Sequence, residues 1–169
     1  YFCSMFIAFG FVIMMCGFLY FAAPERRTAG YAAAAFSAVY AAIILVVYFT
    51  QLTTVRLTEL TEQACELLDF QQMGLFFSLD LLGYALMSLA AFFAGLTVEP
   101  KNKPAKWLRA LLMIHGVFFI SCLIMPMLGV FQADSPAWIG VAVLEFWCAY
   151  FCPVAALALH YFRGQTEQK

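Results

Sequence analysis

Charge is what this chain has least of. Asp, Glu, Lys and Arg make up 11 % of its 169 residues and leave a formal net charge of −1, while hydrophobic residues make up 65 %. Soluble domains carry about 25 % charged residues. The deficit runs the whole length, which excludes a soluble domain on a single anchor. A near-neutral balance also gives no sign of a nucleic-acid partner, and none is expected.

Catalytic signatures are missing as well. There is no HExxH, GxSxG or phosphate loop, and the two His cannot build a histidine-rich metal centre. The six cysteines, Cys3, Cys16, Cys65, Cys122, Cys148 and Cys152, form no CxxC pair, so the thiol-redox and zinc signatures are absent. Buried Cys behaves mostly as a small hydrophobe. Only Cys148 and Cys152, with Glu145, make a conceivable metal set, and that rests on spacing alone. No catalytic residue, metal or cofactor is assigned. Residues 1–23 lack the basic start and small-residue cleavage site of a signal peptide. They are expected to be a span whose upstream sequence precedes Tyr1.

What is present is apolar length. Met73 to Val98 runs 26 residues with one formal charge, Asp80. About 20 apolar residues cross the ~30 Å hydrocarbon core of a bilayer. A carboxylate inside such a segment is costly and marks a candidate functional site. Five segments of this kind follow one another, at about 1–22, 31–53, 72–98, 105–131 and 136–162. Spanning segments must satisfy their own backbone, so each is expected to be a helix. The alternation of a membrane β-barrel is absent. The expected fold is a single all-α transmembrane bundle over 1–169, with five visible spans and six in the full-length protein.

Positive charge alternates between the connections. Arg26 and Arg27, then Lys101, Lys103 and Lys106 with Arg109, then Arg163 and Lys169 mark three basic regions. Residues 54–71 hold only Arg56, and Gln132–Ser135 hold no cation. The positive-inside rule puts the basic regions and the C-terminus in the cytoplasm. Residues 54–71 then form the long outer loop. Leu57, Leu60, Ala64 and Leu67 make one stripe and Glu59, Glu62, Glu66 and Asp69 another, the pattern of an amphipathic helix with a solvated acidic face.

Polar residues inside the spans are few. Ser37, Tyr40, Tyr48 and Gln51 share a face of the second segment, as interhelical hydrogen bonders or as a cavity wall. Asp80, Tyr84 and Ser88 step by four along the third. Pro126 is expected to kink the fourth segment and Pro153 to open the fifth. The fifth enters at Ser135-Pro136, with Trp138 at interface depth. Asp80 and Glu145 each lie about eight residues in from the outer side, or ~12–14 Å at 1.5 Å per residue. Arg56, Gln51, Gln71 and Gln72 gather at the same end. Three arrangements compete: an ion pair of Arg56 with one acid, a protonated acid bonded to a neighbouring helix, or an outward-facing pocket that binds a polar solute or relays protons. His115, nearer the cytoplasmic side, either extends a proton path inward or is a satisfied interhelical donor. His160 reads as a headgroup-level residue.

Tyr48–Arg56, YFTQLTTVR, and Phe76–Gly95, FFSLDLLGYALMSLAAFFAG, together with Lys106-Trp107-Leu108-Arg109 and Ile114-His115-Gly116, resemble an uncharacterised family of small prokaryotic multi-pass membrane proteins, a domain of unknown function. The resemblance covers roughly the middle half of the chain. It implies a prokaryotic cytoplasmic membrane, about six spans, and a recurring pattern that includes Gln51, Arg56, Asp80 and Tyr84. It implies no activity.

The leading functional expectation is binding or transport of a small solute through an outer-half pocket. Its candidate ligand-binding residues are Asp80, Glu145, Arg56, Gln51, Gln72, Tyr84 and His115. A non-transporting membrane subunit or scaffold is the second, and a membrane enzyme acting on lipid the third. The partners expected are the lipid bilayer, a small solute or lipid ligand, and a second copy or another membrane subunit.

Overall fold

The computed structural model describes residues 1–130 and 137–167, with side chains throughout except at 137–144. Among these residues there is helix and no strand. The helices are α1 (Phe2–Tyr20), α2 (Arg27–Thr50), α3 (Glu62–Leu68), α4 (Leu75–Thr97), α5 (Lys103–His115), α6 (Val117–Met127) and α7 (Ala137–Thr166). Four helical stretches, Phe2–Tyr20, Pro24–Val55, Leu75–Thr97 and Lys103–Met127, are long and apolar enough to cross a bilayer. That marks a membrane protein. The Gln132–Ser135 connection, the Ser135-Pro136 start and the Trp138 side chain lie outside the described residues.

The bundle is organised around α4, which packs against α1, α2, α3, α5 and α6. Its sequence explains this. Ala85, Ala90, Ala91 and Ala94 are fully buried and leave room for neighbouring backbones. Small residues at such positions let helices approach closely where lipid offers no hydrophobic drive. Gly83 extends the same surface: a Cβ there would meet the Ile44 side chain of α2 at 2.9 Å. The α2–α4 contact is the most extensive in the fold. Ile44 and Val47 on α2, Phe11 and Met15 on α1, and Val154 and Ala158 on α7 complete one core cluster with it.

Three sequence expectations change here. The second segment starts earlier than residue 31, because Pro24–Arg26 forms a 3-10 turn that runs straight into α2. At its far end α2 continues as a π-helical turn over Gln51–Val55. The fourth segment is not one helix. It breaks at Gly116, where the backbone N–H bonds to the Met113 carbonyl at 3.1 Å in a tightened turn. Gly116 is pressed against Phe92 of α4, and a Cβ there would lie 2.9 Å from the Phe92 Cβ. Pro126 sits in the last turn of α6, where little helix remains to be bent.

The 54–71 loop also departs from expectation. Only Glu62–Leu68 is a regular α-helix there, started by Thr61, whose hydroxyl accepts from the Ala64 N–H at 3.3 Å. Leu57 and Leu67 are exposed while Leu60 and Ala64 are half-buried, so only part of the apolar stripe is covered. The loop is held instead by α3 against the start of α4. A Cβ at Gly74 would stand 2.0 Å from the Glu66 carbonyl oxygen, which is backbone and cannot swing aside. Gly74→Ala is therefore expected to cost about 1–3 kcal/mol and to lower the apparent Tm by several degrees. Gly10→Ala, in the interior of α1, meets nothing within 4 Å and is expected to hold or slightly raise the Tm, which makes it the contrasting control in the same thermal melt.

Candidate functional site

Asp80 lies one and a half turns into α4 and is 5 % exposed. Among the described residues its Oδ1 has no hydrogen-bond partner. From α2 the Tyr48 hydroxyl stands close to the carboxylate. The Tyr48 hydroxyl in turn lies 2.8 Å from the Tyr84 hydroxyl. These positions follow from helical spacing. Tyr84 is one turn beyond Asp80 on α4, and Tyr48 lies on the α2 face that also buries Ser37, Tyr40 and Gln51.

The hydroxyl pair gives the cluster a direction. An ionised carboxylate only accepts hydrogen bonds. With Asp80 ionised, a hydrogen bond between it and Tyr48 requires Tyr48 to donate, and Tyr84 then donates to Tyr48. With Asp80 protonated, the order can reverse. A proton on Asp80 thus re-orients a two-tyrosine chain without moving a helix.

Beyond Tyr84 the cluster continues through aromatic contacts. The Tyr84 ring lies 4.3 Å from the Trp147 ring of α7, and Trp147 lies 6.2 Å from His115. His115, 1 % exposed at the end of α5, is boxed by Phe118, Tyr150 and Phe151. Tyr150 then donates its hydroxyl to the Leu111 carbonyl at 2.7 Å. The Trp147 Nε1 and both ring nitrogens of His115 are buried without a hydrogen-bond partner. One connected column therefore holds four under-satisfied polar atoms, on α4, α5 and α7.

The sequence candidates separate into two groups. Asp80, Tyr84 and His115 belong to this column. Gln51 is buried close by but is fully engaged: its Nε2 donates to the Leu68 carbonyl at 2.7 Å and its Oε1 accepts from the Phe70 N–H at 3.1 Å. It holds the end of α3, and no polar atom of its side chain is left over. Arg56, Gln72 and Glu145 are exposed. The expected convergence of Arg56 with the two acids is corrected accordingly. Among the described residues the one ion pair is Lys101–Glu99 at 2.6 Å, at the opposite end. There the bond from Lys101 holds the Glu99 carboxyl below its usual range. Glu145, expected at the depth of Asp80, is exposed on α7. Cys148 and Cys152 are also exposed, and among the described residues no three His, Cys, Asp or Glu side chains gather around a metal-sized space.

Trp147 and Tyr150 escaped the sequence reading. Their spacing of three puts both on one face of α7, opposite Glu145, and that was the available signal. No family model, curated protein or solved structure matches the chain.

Proposed function

We propose that this chain is a polytopic integral membrane protein that binds and passes a small polar solute, down to a proton, through the interior of its bundle. Asp80 is the central binding group. The observation that carries the reading is the partnerless Oδ1 of a buried Asp80, continued by the unpartnered nitrogens of Trp147 and His115. Each unsatisfied polar group in an apolar membrane interior costs several kcal/mol. Four in one column are better explained as places for a transient guest than as structural glue. The guest must donate to Asp80 and can exchange hydrogen bonds with His115, which fits a proton, a water wire or a small amine. Tyr48 and Tyr84 pass the proton on, and Gln51 keeps the end of the bundle closed.

In this reading α7 is the fifth span, and the basic connections lie in the cytoplasm by the positive-inside rule. The resemblance to the small prokaryotic membrane family supports a prokaryotic cytoplasmic membrane. The test is reconstitution of the full chain into vesicles carrying an internal pH dye, with a potassium diffusion potential. Proton influx well above that of protein-free vesicles is expected. In parallel, ammonium and small amines are screened for a rise in apparent Tm. Absence of both flux and any shift would sink the proposal.

A second reading, a subunit that works against a partner helix, is favoured by one observation. Glu145 is exposed beside Phe146, which is 51 % exposed, on an otherwise apolar helix. A carboxylate facing lipid at that depth is costly unless a protein surface covers it. If a second copy covers it, Glu145→Leu will lower the molar mass measured by light scattering in mild detergent. An unchanged mass removes the second copy as the cover.

A further inference from the structure

Two hollows meet at the basic end of the molecule. One is a cleft of about 80 Å³ between the α4–α5 turn and the last turns of α7. Glu99, Lys101, Asn102, His160, Tyr161 and Gln165 give it polar walls. The other is an open groove of about 520 Å³ between α5 and α7, walled by Trp107, Leu111, Pro153 and Leu157, with Lys103 at its mouth. Pro104 and Leu157 line both. The two hollows are therefore neighbours along one seam, polar at the helix ends and apolar along the helices.

Charge decides what such a seam attracts. This end carries Arg26, Arg27, Lys101, Lys103, Lys106, Arg109 and Arg163 against Glu25, Glu99 and Glu167. Glu99 is already neutralised by Lys101 at 2.6 Å, so it does not repel an anion from the cleft. Arg26 is tied to the same corner by its bond to the Val98 carbonyl at 3.2 Å. Trp107 is 58 % exposed one turn into α5, the place where an amphipathic ring sits at headgroup level. Basic hollows between membrane helices are suited to anionic head groups. The occupant that matches a cationic mouth, a polar cleft and an apolar groove in one line is an amphiphile.

We propose that the α5–α7 seam holds one anionic phospholipid. Its phosphate lies against Lys103 and the polar cleft, and one acyl chain lies along Trp107, Leu111, Pro153 and Leu157. The site rests on the membrane reading of the chain but not on Asp80, so the two proposals fail separately.

The test uses the purified full chain in neutral detergent at about 0.15 M salt, where long-range surface attraction is screened. Phosphatidylglycerol and phosphatidylcholine are titrated separately while apparent Tm is read, and native mass spectrometry counts retained lipid. Phosphatidylglycerol is expected to bind at least tenfold more tightly, with one molecule retained. Lys103→Gln is expected to weaken phosphatidylglycerol about fivefold, the effect of one cation near a head group, and to leave phosphatidylcholine unchanged. Lys103 is exposed, so the variant should fold, and its lipid-free melt checks this. Trp107→Ala should weaken both lipids. Equal affinity for the two lipids overturns the proposal. So does an equal loss from Arg56→Gln at the far end, which would mean diffuse electrostatics. Glycerol phosphate binding as well as the lipid would reduce the site to a free-anion cleft and overturn it as well.

Discussion

Asp80→Asn is expected to fold, to be at least as stable as the parent, and to lose proton flux. The argument begins with what the substitution leaves in place. Asn has the shape of Asp, and its oxygen can accept from the nearby Tyr48 hydroxyl as the carboxylate can. No ion pair is broken, because among the described residues Asp80 has none. What disappears is a charge in a membrane segment, whose cost is about 2.5–3.5 kcal/mol at a helix centre on insertion scales. Against that gain stands the new amide donor, which faces the same partnerless corner as Oδ1. The balance is expected to fall between zero and about 2 kcal/mol in favour of the variant. Function moves the other way, because an amide cannot take up the proton that the Tyr48–Tyr84 chain would deliver. Flux is expected to drop at least 100-fold, to the level of protein-free vesicles.

Stability held while function is lost is the signature of a group kept for its chemistry. A structural Asp80 would behave oppositely, with Asn lowering both. Tyr84→Phe sharpens the test. It removes the Tyr84 hydroxyl from the 2.8 Å pair with Tyr48 and keeps the ring that packs on Trp147, so flux should fall while the melt changes little. Glu145→Gln, outside the column, should leave flux intact. If flux survives Asp80→Asn, the column is not the path.

The contrast between Asp80 and Glu145 also marks how far the sequence could be read. Apolar length located the membrane helices, and steps of four placed Tyr84 and Ser88 on the face of Asp80. The same rule put Ser37, Tyr40, Tyr48 and Gln51 on one buried face of α2. Residue counting gave both acids the same expected depth. Direction was not. A helix that is apolar all round has no polar stripe to aim it, so nothing in α7 distinguishes the Glu145 side from the Trp147 side except what packs there. In the fold, Trp147 meets Tyr84 and Glu145 faces out. The break at Gly116 was hidden for a related reason: it depends on Phe92 of another helix, which local sequence does not record. Gln51 was expected to line a pocket, whereas in the fold its partners are backbone atoms at residues 68 and 70. A backbone carbonyl carries no sequence signature.

Those partners give the other large effect. Gln51→Leu is expected to detach the 57–74 segment from α2 while leaving the helical core intact. Gln51 is 6 % exposed and stands at the first position of the π-helical turn. Its two bonds satisfy the Leu68 carbonyl at the end of α3 and the Phe70 N–H just beyond it. Carbonyls at a helix C-terminus have no partner inside their own helix. Leucine fills the same space and supplies neither bond, so one acceptor and one donor lose their partners. At about 1–3 kcal/mol for each group left unsatisfied, discounted because both are only partly buried, the loss should be about 2–3 kcal/mol. That corresponds to a fall in apparent Tm of roughly 4–12 °C for a chain of this size. Hydrogen exchange at the Phe70 amide should accelerate first, and protease cleavage within 57–72 should follow. Amides in the Ala85–Ala94 stretch should keep their protection, because that surface packs on α2 independently of the loop. Gln72→Leu is the matched control, since Gln72 is exposed and its loss removes no such clamp. Equal exchange in the two variants would refute the clamp. Gln51→Glu separates the two bonds: it still accepts from Phe70 but faces the Leu68 carbonyl with an oxygen, so it should fall between the parent and the leucine variant at Phe70 and match leucine at the end of α3. A wall residue of a solute pocket would give a different pattern, with flux altered and exchange unchanged. The two roles are therefore told apart by where the amides open, before any ligand is known.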